Sequence, residues 1–212
     1  MKVKSSVFLL DSSTVAREYK GRSVSCNIFA INLLGGIVLI DSGYPSFAKE
    51  IMDELRSIDE KPLSCIMITH SDLDHVGNAY ELQRMSGCKV YISEEELAYT
   101  TSKKPRFGSK QKTFEESGIK MPELTVYPEI GITGFRIIPT PGHTAGHVSI
   151  LYEDILFPGD ICSFRDGVFQ GPNPAYTEDM ELANSELKKL SKYEFKLVCP
   201  AHGTPFERKE YL

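Results

Sequence analysis

The 212-residue sequence predicts an α/β fold in which two mixed sheets carry helices on their outer faces. Many short strand-like runs alternate with fewer helix-like stretches along the chain. The sequence contains no internal repeat, low-complexity tract or change of composition that would divide it. We therefore expect one domain spanning residues 1–212, which is long enough to bury a full core without disulfide bonds.

Short apolar runs bounded by turn residues predict the strands, which we place at residues 7–10, 25–33, 36–40, 65–69, 89–92, 124–127, 135–138, 148–152, 155–157 and 195–199. The Gly35-Gly36 pair predicts a hairpin turn. Apolar residues at helical spacing predict helices at residues 46–58, 76–85 and 177–190. The polar segment 101–121 has little periodicity, and we expect it to be irregular.

Composition excludes several classes of protein. A net charge of −5 gives no reason to expect nucleic acid or an anionic membrane as a partner. The longest apolar stretch, residues 27–40, is too short and too interrupted to span a bilayer. The N-terminus lacks the long apolar run of a secretory signal, and five cysteines without a CxxC pair indicate reduced thiols. We expect a cytoplasmic protein with a small-molecule substrate; its oligomeric state is left open.

Two imidazoles and two carboxylates stand within six positions directly after a wholly apolar run: His70, Asp72, Asp74 and His75. Carboxylates and neutral imidazoles bind Zn²⁺, Fe and Mn²⁺, and a strand end holds such ligands rigidly. One aspartate could instead be the N-cap of the helix that follows. Two aspartates between two histidines exceed what a cap requires, so the group indicates a metal site.

The other candidate ligands lie in glycine-rich turns after later apolar runs. His143 and His147 are flanked by prolines and glycines, which predict a loop, and then only one of the two need face a metal. Asp160 and His202 each follow a further strand-like run. Singly, a histidine in such a turn is more often structural, and a Gly-Asp pair is usually a turn. Together, at successive strand ends, they predict a metal centre.

The order of motifs HxxxDH, GHT, GD and a late HG resembles the metallo-β-lactamase superfamily. The turn Asp41-Ser42-Gly43 after a strand is similar to the opening signature of that family. The resemblance extends from about residue 27 to residue 206. It implies a four-layer αββα sandwich with metals at one edge, between two mixed sheets.

The resemblance also implies a role for each candidate. Metal 1 would be held by His70, Asp72 and His143, and metal 2 by Asp74, His75 and His202. Asp160 would bridge both metals alongside a hydroxide. Asp74 would also orient the hydroxide and accept a proton, and Asp41 would orient the ligand loops. His147 would lie behind the ligands, from where it could donate a hydrogen bond to the developing oxyanion.

This sequence departs from the family at one position, because the usual motif HxHxDH has histidine where Asp72 stands. If Asp72 is not a ligand, the site holds one metal. If it is a ligand, three aspartates and a hydroxide cancel the charge of two divalent metals. A neutral cluster favours harder ions, so iron or manganese are alternatives to the expected zinc.

The chemistry that the resemblance implies is hydrolysis of an ester, lactone, thioester or phosphoester bond by a bridging hydroxide on two metals. Class B1 β-lactamases have a cysteine ligand at the position of Asp160, so antibiotic hydrolysis is not expected. The alternative is an iron-dependent oxidoreductase on the same fold, resembling a persulfide dioxygenase or a di-iron oxygen-reducing protein. A binding protein without turnover is a third possibility.

Segment 101–121 carries five cations within ten positions: Lys103, Lys104, Arg106, Lys110 and Lys112. A solvated surface loop would account for them. The alternative hypothesis is a lid over the metals whose cations attract an anionic substrate, because this stretch often folds over the site in the superfamily that the sequence resembles.

Overall fold

The computed structural model describes residues 1–11, 17–19, 22–129 and 132–208, and the side chains of residues 12–24 lie outside this description. The chain divides into two compact units. The first unit comprises Met1–Ile92 and Lys112–Thr125, and the second comprises Ser93–Gln111 and Val126–Leu212. The prediction of one domain over residues 1–212 stays a prediction.

The first unit contains a seven-stranded mixed sheet with the strand order β1-β2-β5-β6-β7-β8-β9. Its strands and a separate two-stranded hairpin, β3-β4, are Lys2–Lys4 (β1), Val7–Leu9 (β2), Arg17–Tyr19 (β3), Arg22–Val24 (β4), Phe29–Leu33 (β5), Gly36–Ile40 (β6), Leu63–Met67 (β7), Lys89–Ile92 (β8) and Leu124–Val126 (β9). β5 and β6 form the predicted hairpin, and β6, β7 and β8 run parallel. Every residue of β6 is buried, which explains its continuous apolar sequence.

The second unit contains a five-stranded sheet with the order β10-β11-β12-β15-β16 and a hairpin, β13-β14. These strands are Phe135–Pro139 (β10), Val148–Tyr152 (β11), Ile155–Phe157 (β12), Ser163–Arg165 (β13), Val168–Gln170 (β14), Leu197–Val198 (β15) and Phe206–Glu207 (β16). β10 and β12 are each antiparallel to β11, and β15 is parallel to β12. The carboxyl ends of β10, β12 and β15 therefore lie at the same edge of the sheet.

The helices are Ala48–Ile58 (α1), Leu73–Val76 (α2), Ala79–Ser86 (α3), Leu97–Thr100 (α4), Lys110–Ser117 (α5) and Met180–Lys189 (α6), which continues as a 3₁₀ turn at Leu190–Lys192. α1 and α6 confirm predicted helices, and the stretch predicted at 76–85 is two short helices, α2 and α3. α6 begins after Asp179, whose side chain accepts a hydrogen bond of 2.9 Å from the Leu182 amide.

α5 lies within the segment predicted to be irregular, and there the prediction was wrong. None of the eight residues of α5 is buried, so the helix has no apolar face to reveal it in the sequence. With mixed sheets and several helices, the α/β fold class is confirmed. Within the described residues, every helix is too short or too polar to cross a membrane.

Candidate metal centre

The first-unit cluster comprises His70, Asp72, Asp74 and His75, in the turn after β7 and the first residues of α2. His70 and His75 are fully buried, Asp72 is nearly so, and the Asp74 side chain is 17% exposed. Asp72 occupies the N-cap position of α2, but its carboxylate makes no capping hydrogen bond. Helix capping therefore does not explain this buried aspartate.

The donor atoms of this cluster face each other in pairs. His70 Nε2 lies 3.3 Å from an oxygen of Asp72, and His75 Nε2 lies 3.8 Å from an oxygen of Asp74. Two donors bound tetrahedrally to one metal at about 2.0 to 2.2 Å are roughly 3.3 to 3.6 Å apart. The separation between His70 and Asp72 equals the donor–donor distance of such a site. The separation between His75 and Asp74 corresponds to a wider donor–metal–donor angle, so both pairs of donors fit a transition metal.

Asp41 holds one of these histidines in place from the end of β6. Its Oδ2 accepts a hydrogen bond of 2.9 Å from His75 Nδ1, and its Oδ1 accepts one of 2.8 Å from the Thr69 amide. A proton on Nδ1 leaves the lone pair on Nε2, the nitrogen that faces Asp74. These contacts fix the His75 ring and the Thr69 backbone, and they support the prediction that Asp41 orients this loop.

The second-unit cluster comprises His143, His147, Asp160 and His202. His143, Asp160 and His202 follow β10, β12 and β15, whose carboxyl ends share one sheet edge. Asp160 Oδ2 lies 3.6 Å from His143 Nε2, and Asp160 Oδ1 lies 3.4 Å from His202 Nε2. Each oxygen of one carboxylate thus faces a different imidazole, which is the arrangement that a bridging carboxylate requires.

His147 differs from His143 in its hydrogen bonds. Its Nε2 accepts a hydrogen bond of 3.1 Å from the Asp160 amide, and its Nδ1 lies 3.1 Å from the Thr140 carbonyl oxygen. A neutral ring that accepts at Nε2 carries its proton on Nδ1, where the carbonyl oxygen and the hydroxyl oxygen of Thr140, at 3.1 and 2.9 Å, can accept it. These contacts favour a role in holding the Asp160 turn, and the predicted oxyanion contact of His147 stays a prediction.

Glu96, which the sequence analysis missed, holds the loop between the two histidines. This fully buried glutamate accepts hydrogen bonds from the Thr144 hydroxyl, at 2.5 Å, and from the Gly146 amide, at 3.2 Å. The Tyr99 hydroxyl also holds this loop, because it accepts a hydrogen bond of 3.0 Å from the Ala145 amide. Glu96 lies 48 positions from Thr144, and no local pattern connects the two.

The glycines of the turns are required by close packing. A Cβ on Gly142 would lie 2.4 Å from the Ala183 amide nitrogen of α6, and its φ is +128°. A Cβ on Gly203 would lie 2.1 Å from the Phe164 carbonyl oxygen, and its φ is +99°. No side chain fits at either position, so these glycines bring the His143 and His202 turns against their neighbours.

Two of the cations proposed to attract substrate have structural partners instead. Lys104 Nζ donates hydrogen bonds to the Tyr99 hydroxyl and to Glu178, at 2.6 and 2.8 Å. Burial opposes the charge of Lys104, but the hydrogen bonds to Glu178 and Tyr99 outweigh it and raise the pKa of the ammonium. Arg106 is buried and donates to the Tyr99 carbonyl oxygen. Lys110 differs, because its Nζ lies 3.0 Å from His143 Nε2.

Histidines and aspartates at the strand ends of an α/β fold form a candidate metal centre. The sequence profile of the metallo-β-lactamase superfamily matches residues 21–202. The chain belongs to this superfamily, and the resemblance inferred from its motifs is confirmed. It is an enzyme of the metallo-hydrolase kind.

Two relatives and one solved structure illustrate the match. The chain is 29% identical to a probable metallo-hydrolase of Bacillus subtilis, over 87% of the chain and 83% of that protein. It is 30% identical to a probable zinc-dependent hydrolase of polyketide biosynthesis from Bacillus velezensis, over 73% of the chain and 62% of that protein. A protein solved in a di-iron-bound form has 25% identity and a TM-score of 0.68, with coverage of 86% of this chain and 90% of that one.

Proposed function

We propose that this metallo-hydrolase binds two metals and hydrolyses an ester, lactone, thioester or phosphoester bond of a small molecule. The main support is Asp160, whose two carboxylate oxygens face His143 and His202 separately. A carboxylate that served one metal would not need a histidine at each oxygen. In this proposal the first-unit cluster, in which His70, Asp72 and His75 are buried, supplies the remaining ligands.

The order of the family motifs supports a division of the ligands between two metals. We propose His70, Asp72 and His143 for metal 1, Asp74, His75 and His202 for metal 2, and Asp160 as the bridge. The donor pairs His70–Asp72 and Asp74–His75 support this division, because each pair falls within one assigned set. A one-metal site, in which Asp72 is not a ligand, remains the alternative.

The bound metals would lower the pKa of a water molecule towards neutrality and polarise the substrate oxygen. We propose Asp74 as the acceptor of the proton of the attacking water, because its side chain is more exposed than that of Asp72, the other carboxylate of its cluster. Asp41 keeps the proton of His75 on Nδ1, and His147 fixes the turn that carries Asp160.

We propose zinc as the metal, in keeping with the relative that is described as a zinc-dependent hydrolase. Iron is the alternative, because the structural relative binds two iron ions and Asp72 makes the ligand set more anionic. With iron, an oxidoreductase that acts on a persulfide becomes the second candidate function. We also propose a cytoplasmic location, supported by five buried cysteines without disulfide bonds.

Metal analysis followed by activity assays tests the proposal. Protein expressed without added metal should contain close to two zinc or iron ions per chain by mass spectrometry. It should then hydrolyse a member of a panel of carboxylic esters, thioesters, lactones and phosphodiesters, and chelation should abolish that activity. The His143→Ala variant is the inactive control. Iron content with oxygen-dependent persulfide oxidation, and no hydrolysis, would replace the hydrolase by the oxidoreductase.

A further inference from the structure

Cys26 lies at the edge of the first-unit sheet that carries the proposed ligands. It stands shortly before β5, which is antiparallel to β6 and pairs Phe29 with Ile40. Because β6 and β7 are parallel, the start of β5 lies at the sheet edge where β6 and β7 end. Asp41 follows β6 at this edge, and the turn with residues 70–75 follows β7. The thiol of Cys26 therefore reaches the ligand edge from a third strand.

The thiol faces two of the proposed ligands. Its Sγ atom lies 3.9 Å from His75 Nε2, and one donor atom each of Cys26, Asp74 and His75 lie within 4.8 Å of one another. Cys26 is 4% exposed, and His75 is fully buried. The Sγ atom also lies 3.9 Å from the Asn27 carbonyl oxygen. Sulfur, nitrogen and oxygen donors thus converge within the first unit.

The distance between Sγ and Nε2 suits a shared metal ion. A thiolate sulfur at about 2.3 Å and an imidazole nitrogen at about 2.0 to 2.1 Å from one tetrahedral metal are roughly 3.5 to 3.6 Å apart. The observed 3.9 Å corresponds to a wider angle at the metal, as does the 3.8 Å between His75 and Asp74. Asp41 accepts the Nδ1 proton of His75, so the lone pair of the ring is on Nε2, the atom that faces Sγ.

We propose that Cys26 is a further ligand, through its sulfur, of the metal that Asp74 and His75 hold. This inference rests on the metal binding in the proposed function and deepens it. The thiol gives its proton to water as the sulfur–metal bond forms. Thiolate is a soft donor that favours zinc, whereas carboxylates also suit manganese. Cys26 therefore makes this metal position selective for zinc over manganese.

Cobalt(II) in place of zinc tests the ligand directly. A thiolate bound to cobalt(II) gives a strong charge-transfer band in the near ultraviolet, which nitrogen and oxygen ligands do not give. The wild type loaded with cobalt should show this band, and Cys26→Ala should lose it. Cys88→Ala is the matched control and should keep the band, because Cys88 is a buried cysteine of the same unit that lies directly before β8.

Metal affinity provides a second measurement. In competition with a chromogenic chelator, Cys26→Ser should bind zinc about 10- to 100-fold more weakly, since losing a ligand costs at least as much as losing the partner of one. Its affinity for manganese should change less, because manganese prefers oxygen donors. Serine keeps the size of the side chain, and thermal unfolding of chelator-treated protein shows whether the variant is folded.

The outcomes separate this inference from the proposed function. A cobalt-loaded wild type without the band, or a band that persists in Cys26→Ala, overturns the role of Cys26 alone. Equal zinc affinity of folded Cys26→Ser and Cys88→Ala overturns it as well. A wild type that binds neither cobalt nor zinc contradicts the proposed function and this inference together. The band in a protein that cleaves no member of the substrate panel supports Cys26 as a ligand and contradicts hydrolysis.

Discussion

Replacing Asp41 with Asn should weaken metal binding and leave the chain folded. Asn has the size of Asp and tolerates the left-handed backbone at this position, where φ is 60°. Asp41 accepts from the Thr69 amide on Oδ1 and from His75 Nδ1 on Oδ2, and the Thr69 hydroxyl also donates to this carboxylate. An Asn side chain has one oxygen, so its NH₂ group must face one of these two partners.

Either orientation of Asn has a cost. If the NH₂ group faces the Thr69 amide, two N–H donors point at each other. In the wild type the Thr69 amide nitrogen lies 2.8 Å from Asp41 Oδ1, so the two donors would be too close. If it faces His75, the ring must accept at Nδ1 and carry its proton on Nε2, which removes the lone pair meant for the metal. Asp41 is only 2% exposed, so water cannot compensate. Loss of such a partner weakens metal binding about 10- to 100-fold, or roughly 1.4 to 2.8 kcal/mol.

The assay is the apparent zinc dissociation constant, measured in competition with a chromogenic chelator. Thermal unfolding of chelator-treated protein shows whether the variant is folded. Asp53→Asn is the matched control, because this side chain is 54% exposed and pairs with Arg56 on the surface of α1. If folded Asp41→Asn binds zinc as tightly as Asp53→Asn, the carboxylate does not set the tautomer of His75.

Three further substitutions test other parts of the site. Asp72→His should tighten zinc binding and speed hydrolysis of anionic substrates, since it gives the cluster a net positive charge; unchanged metal preference and kinetics would contradict the charge argument. Gly203→Ala should lower the free energy of unfolding by about 2 to 4 kcal/mol, because the new Cβ would clash with the Phe164 carbonyl oxygen. Denaturant titration measures this loss. An unfolding midpoint equal to that of the wild type would show that the turn can relax. His147→Ala should reduce turnover more than metal content; if it loses metal as fully as His143→Ala, the roles of the two histidines are reversed.

The sequence alone identified the candidate ligands and the superfamily. Histidines and aspartates recur in short turns directly after apolar runs, and such a pattern is local to a few residues. β6 and most of β7 are buried, so their apolar sequences predicted strands directly. Where an element buries nothing, as in α5, hydrophobic periodicity is absent and the helix was missed.

Only the tertiary structure showed which partners these residues contact. Asp160 faces both His143 and His202 because β10, β12 and β15 run in the same direction, and strand order is not readable from local sequence. Glu96 reaches the His143 loop across 48 positions, and one of five neighbouring cations, Lys110, contacts His143. Residue type and spacing determine which side chains can bind a metal. Long-range strand pairing and helix placement decide which partner each side chain meets, because those contacts join segments that are distant in the chain.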